Sequence, residues 1–120
     1  AIAAAESQVN IQSHFLRLAR QIAVGHHEKW DGTGYPYGLV GDDIPISARL
    51  MALADVYDAL SCNRVYKQAI PHDEVVDIIA SARDTQFDSD IVEAFLDIRA
   101  DFSRIAQRFR DEGHGLALSA

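Results

Sequence analysis

The sequence predicts an all-α fold that carries one long loop rich in glycine and proline. Apolar residues recur at three- and four-residue spacing in four stretches, which is the spacing of one helix face. No stretch shows the alternation of apolar and polar residues that is typical of a half-buried strand. Between residues 30 and 45, glycines at 32, 34, 38 and 41 and prolines at 36 and 45 predict irregular structure.

The first helix is predicted over residues 3–25. Its apolar face carries four residues with no proline between them: Ile11, Phe15, Leu18 and Ile22. Gly25 weakens the helical pattern just before two adjacent histidines, His26 and His27. The loop that follows exceeds about 12 residues, and loops of that length in compact domains are usually functional or disordered. Its aromatic residues, among them Tyr35, favour order because each can bury a large area.

The second helix is predicted from Pro45, which suits a first helical turn, to about residue 61 or 62. It carries a bulky apolar stripe (Ile46, Leu50, Leu53, Tyr57 and Leu60) and a second stripe of small residues with one carboxylate (Ala48, Ala52, Asp55, Ala59 and Cys62). Small side chains let a ligand approach closely, and a buried carboxylate needs a partner or a cation. Asp55 is therefore the acid that we expect to be a ligand. Asp58 lies in a more polar row and is interpreted as a supporting or surface residue.

Two further helices are predicted in the second half of the chain. One follows Pro71 and covers about residues 72–82. Asp88 or Ser89 can cap the last helix. Its apolar residues alternate spacings of four and three and are interpreted as core: Ile91, Phe95, Ile98, Phe102, Ile105 and Phe109. We expect Gly113 to end this helix and residues 113–120 to fray.

The length, composition and charge indicate which class of protein this is. The 120 residues suit one compact domain, and 48% apolar and 24% charged residues are ordinary for a soluble globular protein. A formal charge of −7 argues against binding a nucleic-acid polymer, so a phosphate ligand needs a locally basic or metal-containing pocket.

No apolar run reaches the roughly 18 residues of a membrane span and no signal peptide is visible, which predicts a cytoplasmic protein. The single cysteine, Cys62, is predicted to be a small buried side chain. Because Ala1 is not an initiator methionine, we expect the chain to begin inside a longer gene product.

His26, His27 and Asp55 would offer two imidazole nitrogens and a carboxylate oxygen to a metal ion. Side chains of adjacent helical residues point about 100° apart, so both histidines reach one centre only if the helix loosens, which Gly25 permits. By itself a pair of histidines is a weak signal that more often marks a surface or core position than a metal site, and the Asp55 stripe and the glycine loop strengthen it. The remaining histidines have no ligand-like partners in sequence and are interpreted as structural or exposed: His14, His72 and His114.

Two cations, Arg64 and Lys67, follow the second helix and flank Tyr66. A guanidinium and an ammonium can hold phosphate oxygens, the first as a bidentate donor and the second as a point charge. Cations near the C-terminus of a helix are also common because they interact favourably with its dipole. Both interpretations fit the residues.

The chain resembles the HD-GYP family. The residues that carry the resemblance are 26–36 (HHEKWDGTGYP), 54–60 (ADVYDAL), 64–67 (RVYK) and 85–88 (TQFD), in the family's order. The resemblance implies an incomplete helical bundle of the HD superfamily of metal-dependent phosphohydrolases. It also implies hydrolysis of the bacterial second messenger cyclic di-GMP to linear pGpG and GMP, often by output domains of response regulators.

The resemblance assigns roles to residues of this chain. His26, His27 and Asp55 match the family's metal ligands, and Tyr35 is implied to border the guanine of the substrate. Arg64 and Lys67 match cations that contact its phosphate. Two or more divalent metal ions, for which iron, manganese and zinc are suitable, are implied in the intact domain. In the implied mechanism, water activated by the metals attacks phosphorus while these cations stabilise the negative charge.

The departures from the family pattern concern the first half of the domain. The His-Asp doublet, its nearby lysine and another histidine ligand are absent, and no aspartate follows His14. Val65 and Ser89 replace usual prolines, and Asp84 replaces a common glycine. We therefore expect residues 1–112 to be the C-terminal part of an HD-GYP domain that is inactive alone, binds metal weakly or not at all, and dimerises through uncovered apolar surface.

Two other functions are consistent with the sequence. The chain could be a non-enzymatic module that binds a partner such as a diguanylate cyclase through the Gly34-Tyr35-Pro36 loop. It could also belong to an HD-superfamily hydrolase for another nucleotide. Retention of His26, His27 and Asp55 favours an active enzyme, since a binding module does not need metal ligands.

Overall fold

The computed structural model describes residues 2–63 and 67–119, with side chains at 8–63, 67–109 and 111. These residues form five α-helices: α1 (Ile2–Gly25), α2 (Ile46–Ser61), α3 (His72–Ser81), α4 (Ser89–Asp97) and α5 (Arg99–Ser119). A short 3-10 helix, Gly41–Asp43, lies in the loop before α2. The described residues include no strand, only isolated bridges such as the one between Asp31 and Val40. The all-α prediction is confirmed.

The chain divides into two compact units, Ala1–Ala52 and Leu53–Ala120, where its length predicted a single domain. In the first unit, the end of α1 packs against the start of α2. A Cβ placed on Gly25 would lie 2.8 Å from the Cβ of Ala48, so this close approach requires glycine. The Ser47 hydroxyl donates to Oε1 of Gln21 at 3.0 Å, which ties the two helices together.

Most of α1 presents its apolar residues to solvent. Residues 8–20 are all exposed, and Phe15 and Leu16 are 68% and 66% exposed. The predicted apolar face of this helix is therefore largely uncovered. The bulky stripe of α2 behaves differently along its length, because Ile46 and Leu50 are exposed whereas Leu53 and Tyr57 are buried.

The second unit has its own apolar core between the later part of α2 and helices α3 and α4. Its buried members are Leu53, Tyr57, Val75, Val76, Ile79, Phe87, Ile91, Val92 and Phe95. Three rings pack edge to face or tilted at its centre, with centroid distances of 5.0 to 5.9 Å: Tyr57, Phe95 and Phe102. The Tyr57 hydroxyl and Nδ1 of His72 lie 2.9 Å apart and form a hydrogen bond. This contact is consistent with the interpretation of His72 as a structural residue.

The predicted last helix is two helices in the structure. The backbone leaves the helical region at Ile98 (φ −113°, ψ 18°), which ends α4 at Asp97. The Arg99 guanidinium donates to the Leu96 carbonyl at 2.6 Å, which supplies a partner for a carbonyl at the end of α4. The predicted core stripe is not continuous. About half or more of the surface is exposed at three of its members, Ile98, Ile105 and Phe109, so the prediction that they are core residues is wrong.

The C-terminal boundary was also mispredicted. Helix α5 continues past Gly113 to Ser119. A glycine in a helix interior costs only about 1 kcal/mol relative to alanine, and the good helix formers Leu116, Ala117 and Leu118 follow it. The fraying of residues 113–120 stays a prediction.

The turn between α3 and α4 contains the position where the family commonly has glycine. Asp84 adopts a left-handed conformation there, with φ 66°. Its N–H donates to the Phe87 carbonyl at 2.9 Å. The Asp88 carboxylate accepts from the N–H of Asp90 at 2.9 Å, which confirms Asp88 as the cap of α4.

Candidate functional site

The two predicted metal-ligand histidines lie just beyond the last turn of α1. The ring Nδ1 of His26 lies 2.7 Å from the carbonyl oxygen of Ile22. A carbonyl only accepts, so Nδ1 carries the proton and, in the neutral ring, Nε2 carries the lone pair. Metal-binding histidines are commonly oriented by a hydrogen bond of this kind. The backbone therefore sets both the orientation and the tautomer of His26.

Three rings lie close together at this end of the helix, with His27 tilted by 40° against His26 and stacked on Tyr35. The centroids of His26 and His27 are 3.9 Å apart, and those of His27 and Tyr35 are 4.9 Å apart with planes only 16° from parallel. The N–H of Tyr35 also donates to the carbonyl of His27 at 3.2 Å. Tyr35 nevertheless remains 61% exposed. The loop thus brings three predicted site residues together and leaves much of the tyrosine surface accessible to a ligand.

Gly34 allows this stack because the backbone is too close for any side chain. A Cβ at Gly34 would lie 2.4 Å from the nitrogen of Lys29, 2.5 Å from the His27 carbonyl oxygen and 2.6 Å from the Cα of Glu28. Contacts that short are forbidden between non-bonded atoms. The glycine of the Gly34-Tyr35-Pro36 motif is therefore required by packing against residues 27–29.

Glu28 is a buried residue of this loop that was not among the predicted site residues. It is only 3% exposed, and its carboxylate accepts from three consecutive backbone N–H groups. Oε1 accepts from Tyr37 at 2.6 Å and from Gly38 at 3.2 Å, while Oε2 accepts from Leu39 at 2.7 Å. The signal available in sequence was an acid just before a glycine-rich loop, whose backbone donors need acceptors.

Polar and cation–π contacts hold the remainder of the loop. The Asp31 carboxylate accepts from both the N–H and the hydroxyl of Thr33, at 3.1 and 2.6 Å, and these bonds hold the pKa of Asp31 below its ordinary value. The Arg49 guanidinium lies 5.8 Å from the centre of the Trp30 ring, and its Nε donates to the Ile44 carbonyl at 2.9 Å. The predicted ordering of this loop by its aromatic residues is consistent with these contacts.

Three predicted site residues, Asp55, Arg64 and Lys67, belong to the second unit. Asp55 is exposed on α2, so the prediction that it is a buried carboxylate is wrong. Asp55 therefore does not need a cation to offset a cost of burial. Lys67 is also exposed, and Arg64 lies outside the described residues. Cys62 is half-buried rather than buried, and its Sγ donates to Oδ1 of Asp58 at 3.4 Å.

Comparison with known proteins identifies the family. A family profile described as HD domain matches residues 3–91. This chain belongs to the HD domain family. Its Gly34-Tyr35-Pro36 signature and its relatives make it an HD domain of the HD-GYP type, as the resemblance implied.

Two relatives and one solved structure illustrate the similarity of this HD domain. A "Probable cyclic di-GMP phosphodiesterase" of Vibrio cholerae is 59% identical over 97 residues, which are 81% of this chain and 22% of that protein. The cyclic di-GMP phosphodiesterase response regulator RpfG of Xanthomonas campestris is 43% identical, covering 82% of this chain and 26% of that protein. A crystal structure of a cyclic GMP-AMP specific phosphodiesterase of V. cholerae aligns with a TM-score of 0.52 and 25% identity, over 77% of this chain and 25% of that one. The chain thus spans about a quarter of the length of each.

HD-domain phosphohydrolases are generally metal-dependent, so the donor atoms of this HD domain bear on whether it can hold a metal ion. The tautomer of His26 suits a metal ligand at Nε2, and imidazole and carboxylate suit divalent ions. Among the residues with a described position, no three His, Cys, Asp or Glu side chains form a group that could hold a metal ion. The donor atoms of the chain therefore suit a divalent metal ion. The ligand set of His26, His27 and Asp55 stays a prediction.

Within the described part of the chain, no helix combines the length and apolar character that crossing a bilayer requires.

Proposed function

We propose that this HD domain is part of a longer metal-dependent phosphodiesterase that hydrolyses cyclic di-GMP to linear pGpG and then to GMP, as the output of a bacterial signalling protein. The observation that carries the proposal is the cluster of His26, His27 and Tyr35. The His27 ring lies on the Tyr35 ring, which is still 61% exposed, and the His26 ring lies 3.9 Å from that of His27. Relatives named cyclic di-GMP phosphodiesterases support the choice of reaction and substrate.

The residues of the chain have distinct roles in this proposal. His26 offers Nε2, because Nδ1 is held by the Ile22 carbonyl, and His27 and Asp55 complete the ligands that this chain contributes. A divalent metal ion, when bound, supplies Lewis-acid polarisation of the phosphate ester and activation of the attacking water. Tyr35 stacks on a guanine base, for which an exposed aromatic ring is the usual protein platform.

Two cations bind the phosphate in this proposal. Lys67 is exposed and offers an ammonium point charge to a phosphate oxygen. Arg64 would add bidentate hydrogen bonds, which are directional and about twice as strong as those between neutral groups. Local positive charge is needed because the chain as a whole carries a formal charge of −7 and would repel a free dinucleotide.

Cyclic GMP-AMP is the second candidate substrate, favoured by the similarity to the crystal structure of a phosphodiesterase specific for cyclic GMP-AMP. Both dinucleotides contain guanine, so stacking on Tyr35 alone does not separate them. The higher identity of 59% to a relative named for cyclic di-GMP favours cyclic di-GMP. A purely binding module, with a diguanylate cyclase as partner, is the non-enzymatic alternative.

The test is a hydrolysis assay with both dinucleotides, combined with metal analysis, on the 120-residue chain and on the longer protein that contains it. We expect the longer protein to contain metal and to cleave cyclic di-GMP faster than cyclic GMP-AMP, and the isolated chain to be inactive. A longer protein with neither metal nor turnover would overturn the proposal in favour of the binding module. Equal turnover by the isolated chain would refute the claim that it supplies only part of the site.

A further inference from the structure

The carboxylate of Glu28 is committed to the backbone of the loop. It is only 3% exposed, and both of its oxygens accept N–H hydrogen bonds from residues 37–39. Two of these bonds are short, at 2.6 and 2.7 Å, as expected when the acceptor is charged. A buried charge is tolerated only when it is well hydrogen-bonded, so these contacts explain how Glu28 can be buried at all.

The bonded segment begins two residues after Tyr35. Tyr37 and Leu39 donate the two short bonds, and Gly38 between them has a left-handed φ of 67° that points three successive N–H groups to one side. On the other side of Tyr35, Gly34 packs against the backbone of Glu28 itself. Glu28 therefore contacts the chain both before and after Tyr35, with its main chain on one side and its carboxylate on the other.

We propose that Glu28 is a positioning residue, whose carboxylate fixes residues 37–39 and thereby holds the Tyr35 ring over His27. It contacts neither substrate nor metal in this role and acts through Tyr35. The inference rests on the proposed function only where Tyr35 is taken to contact the nucleotide. The positioning of the ring is a property of the loop and can be measured without any activity.

The decisive substitution is Glu28→Gln, which keeps the size and one acceptor oxygen but replaces the other with an NH₂ donor. At least one of the three N–H groups then faces a donor and loses its bond. Glu28→Ala removes all three bonds. Asp42→Asn is the matched control, because it removes the same charge from the same loop at a side chain that is 93% exposed; its 3.6 Å ion pair with Arg49 contributes little at such exposure.

Amide hydrogen exchange and the Tyr35 ring proton shifts are measured by NMR on the 120-residue chain. In Glu28→Gln we expect at least one amide of residues 37–39 to exchange about tenfold faster or more, the equivalent of one charge-assisted hydrogen bond. The Tyr35 ring protons should also lose part of the ring-current shift that His27 causes. Helix content by circular dichroism, and both NMR signals in Asp42→Asn, should match the unsubstituted chain. Unchanged exchange, or an unchanged Tyr35 shift despite faster exchange, would overturn the proposal.

In the longer protein, Glu28→Gln should raise KM for cyclic di-GMP about tenfold and leave metal content and kcat within about twofold. Loss of metal or of kcat with an unchanged KM would instead give Glu28 a different role and overturn the proposal. If the unsubstituted longer protein has no phosphodiesterase activity, the proposed function fails, while the exchange and ring-shift measurements still decide whether Glu28 positions Tyr35.

Discussion

Gly34→Ala is the substitution that most directly perturbs the Gly34-Tyr35-Pro36 loop. The added methyl group would lie 2.4 to 2.6 Å from three backbone atoms of residues 27–29. Atoms of a loop backbone cannot rotate away as the end of a side chain can, so the two segments must separate by at least about half an ångström. That movement lengthens the 3.2 Å bond from the Tyr35 N–H to the His27 carbonyl and opens the ring stack.

The expected cost combines two effects. Overpacking of a tight contact costs about 1–3 kcal/mol, and loss of one backbone hydrogen bond costs about 1 kcal/mol. We therefore expect Gly34→Ala to destabilise the chain by about 2–4 kcal/mol in urea unfolding, with faster exchange of the Tyr35 amide. Gly41→Ala is the control: it introduces strain at a φ of 59°, but its methyl group meets only Trp30 ring carbons at 3.9 Å. It should leave the Tyr35 amide protected. A Gly34→Ala chain with unchanged stability and unchanged Tyr35 exchange would refute the loop geometry.

Three further predictions concern other parts of the chain. Asp84 has a left-handed φ of 66°, so Asp84→Gly should stabilise the chain by about 1 kcal/mol in urea unfolding. Asp84→Ala should not stabilise it, and a destabilised Asp84→Gly variant would contradict the prediction. The bonds from Thr33 lower the pKa of Asp31 below 3.8, so their stabilisation is present above pH 3.8 and is lost as the pH falls through the folded pKa. NMR titration of Thr33→Val should show that pKa returning toward 3.8, and an unchanged pKa would exclude Thr33 as the cause. Light scattering should show a dimer that Phe15→Glu converts to a monomer, since Phe15 is 68% exposed on α1; a monomeric unsubstituted chain would rule out this dimer.

The early helices could be predicted from local signals. The spacing of apolar residues, Gly25 at the end of α1 and the prolines before α2 and α3 are properties of short segments, and these helices begin and end close to where predicted. The break at Ile98 could not be predicted in this way. Ile98 continues the apolar spacing, and only the backbone geometry and the bond from Arg99 to the Leu96 carbonyl show the interruption.

The site was predictable where it is local in sequence and unpredictable where it depends on tertiary packing. His26, His27 and Tyr35 lie within ten residues, and the resemblance pointed to all three. The burial of Asp55 was inferred from its small neighbours on α2, but exposure is decided by which elements cover that face. Glu28 was not singled out because its partners are nine to eleven residues away and are backbone groups, which carry no sequence pattern.

The measurement that tests the central claim most directly is metal content together with cyclic di-GMP turnover in the longer protein, for Asp55→Ala beside Lys67→Ala. The account predicts that Asp55→Ala loses both metal and turnover. It predicts that Lys67→Ala keeps its metal and raises KM, because an ammonium that binds phosphate holds no metal ion. Full metal content and normal turnover in Asp55→Ala would contradict the claim that this chain supplies part of a metal-dependent phosphodiesterase site.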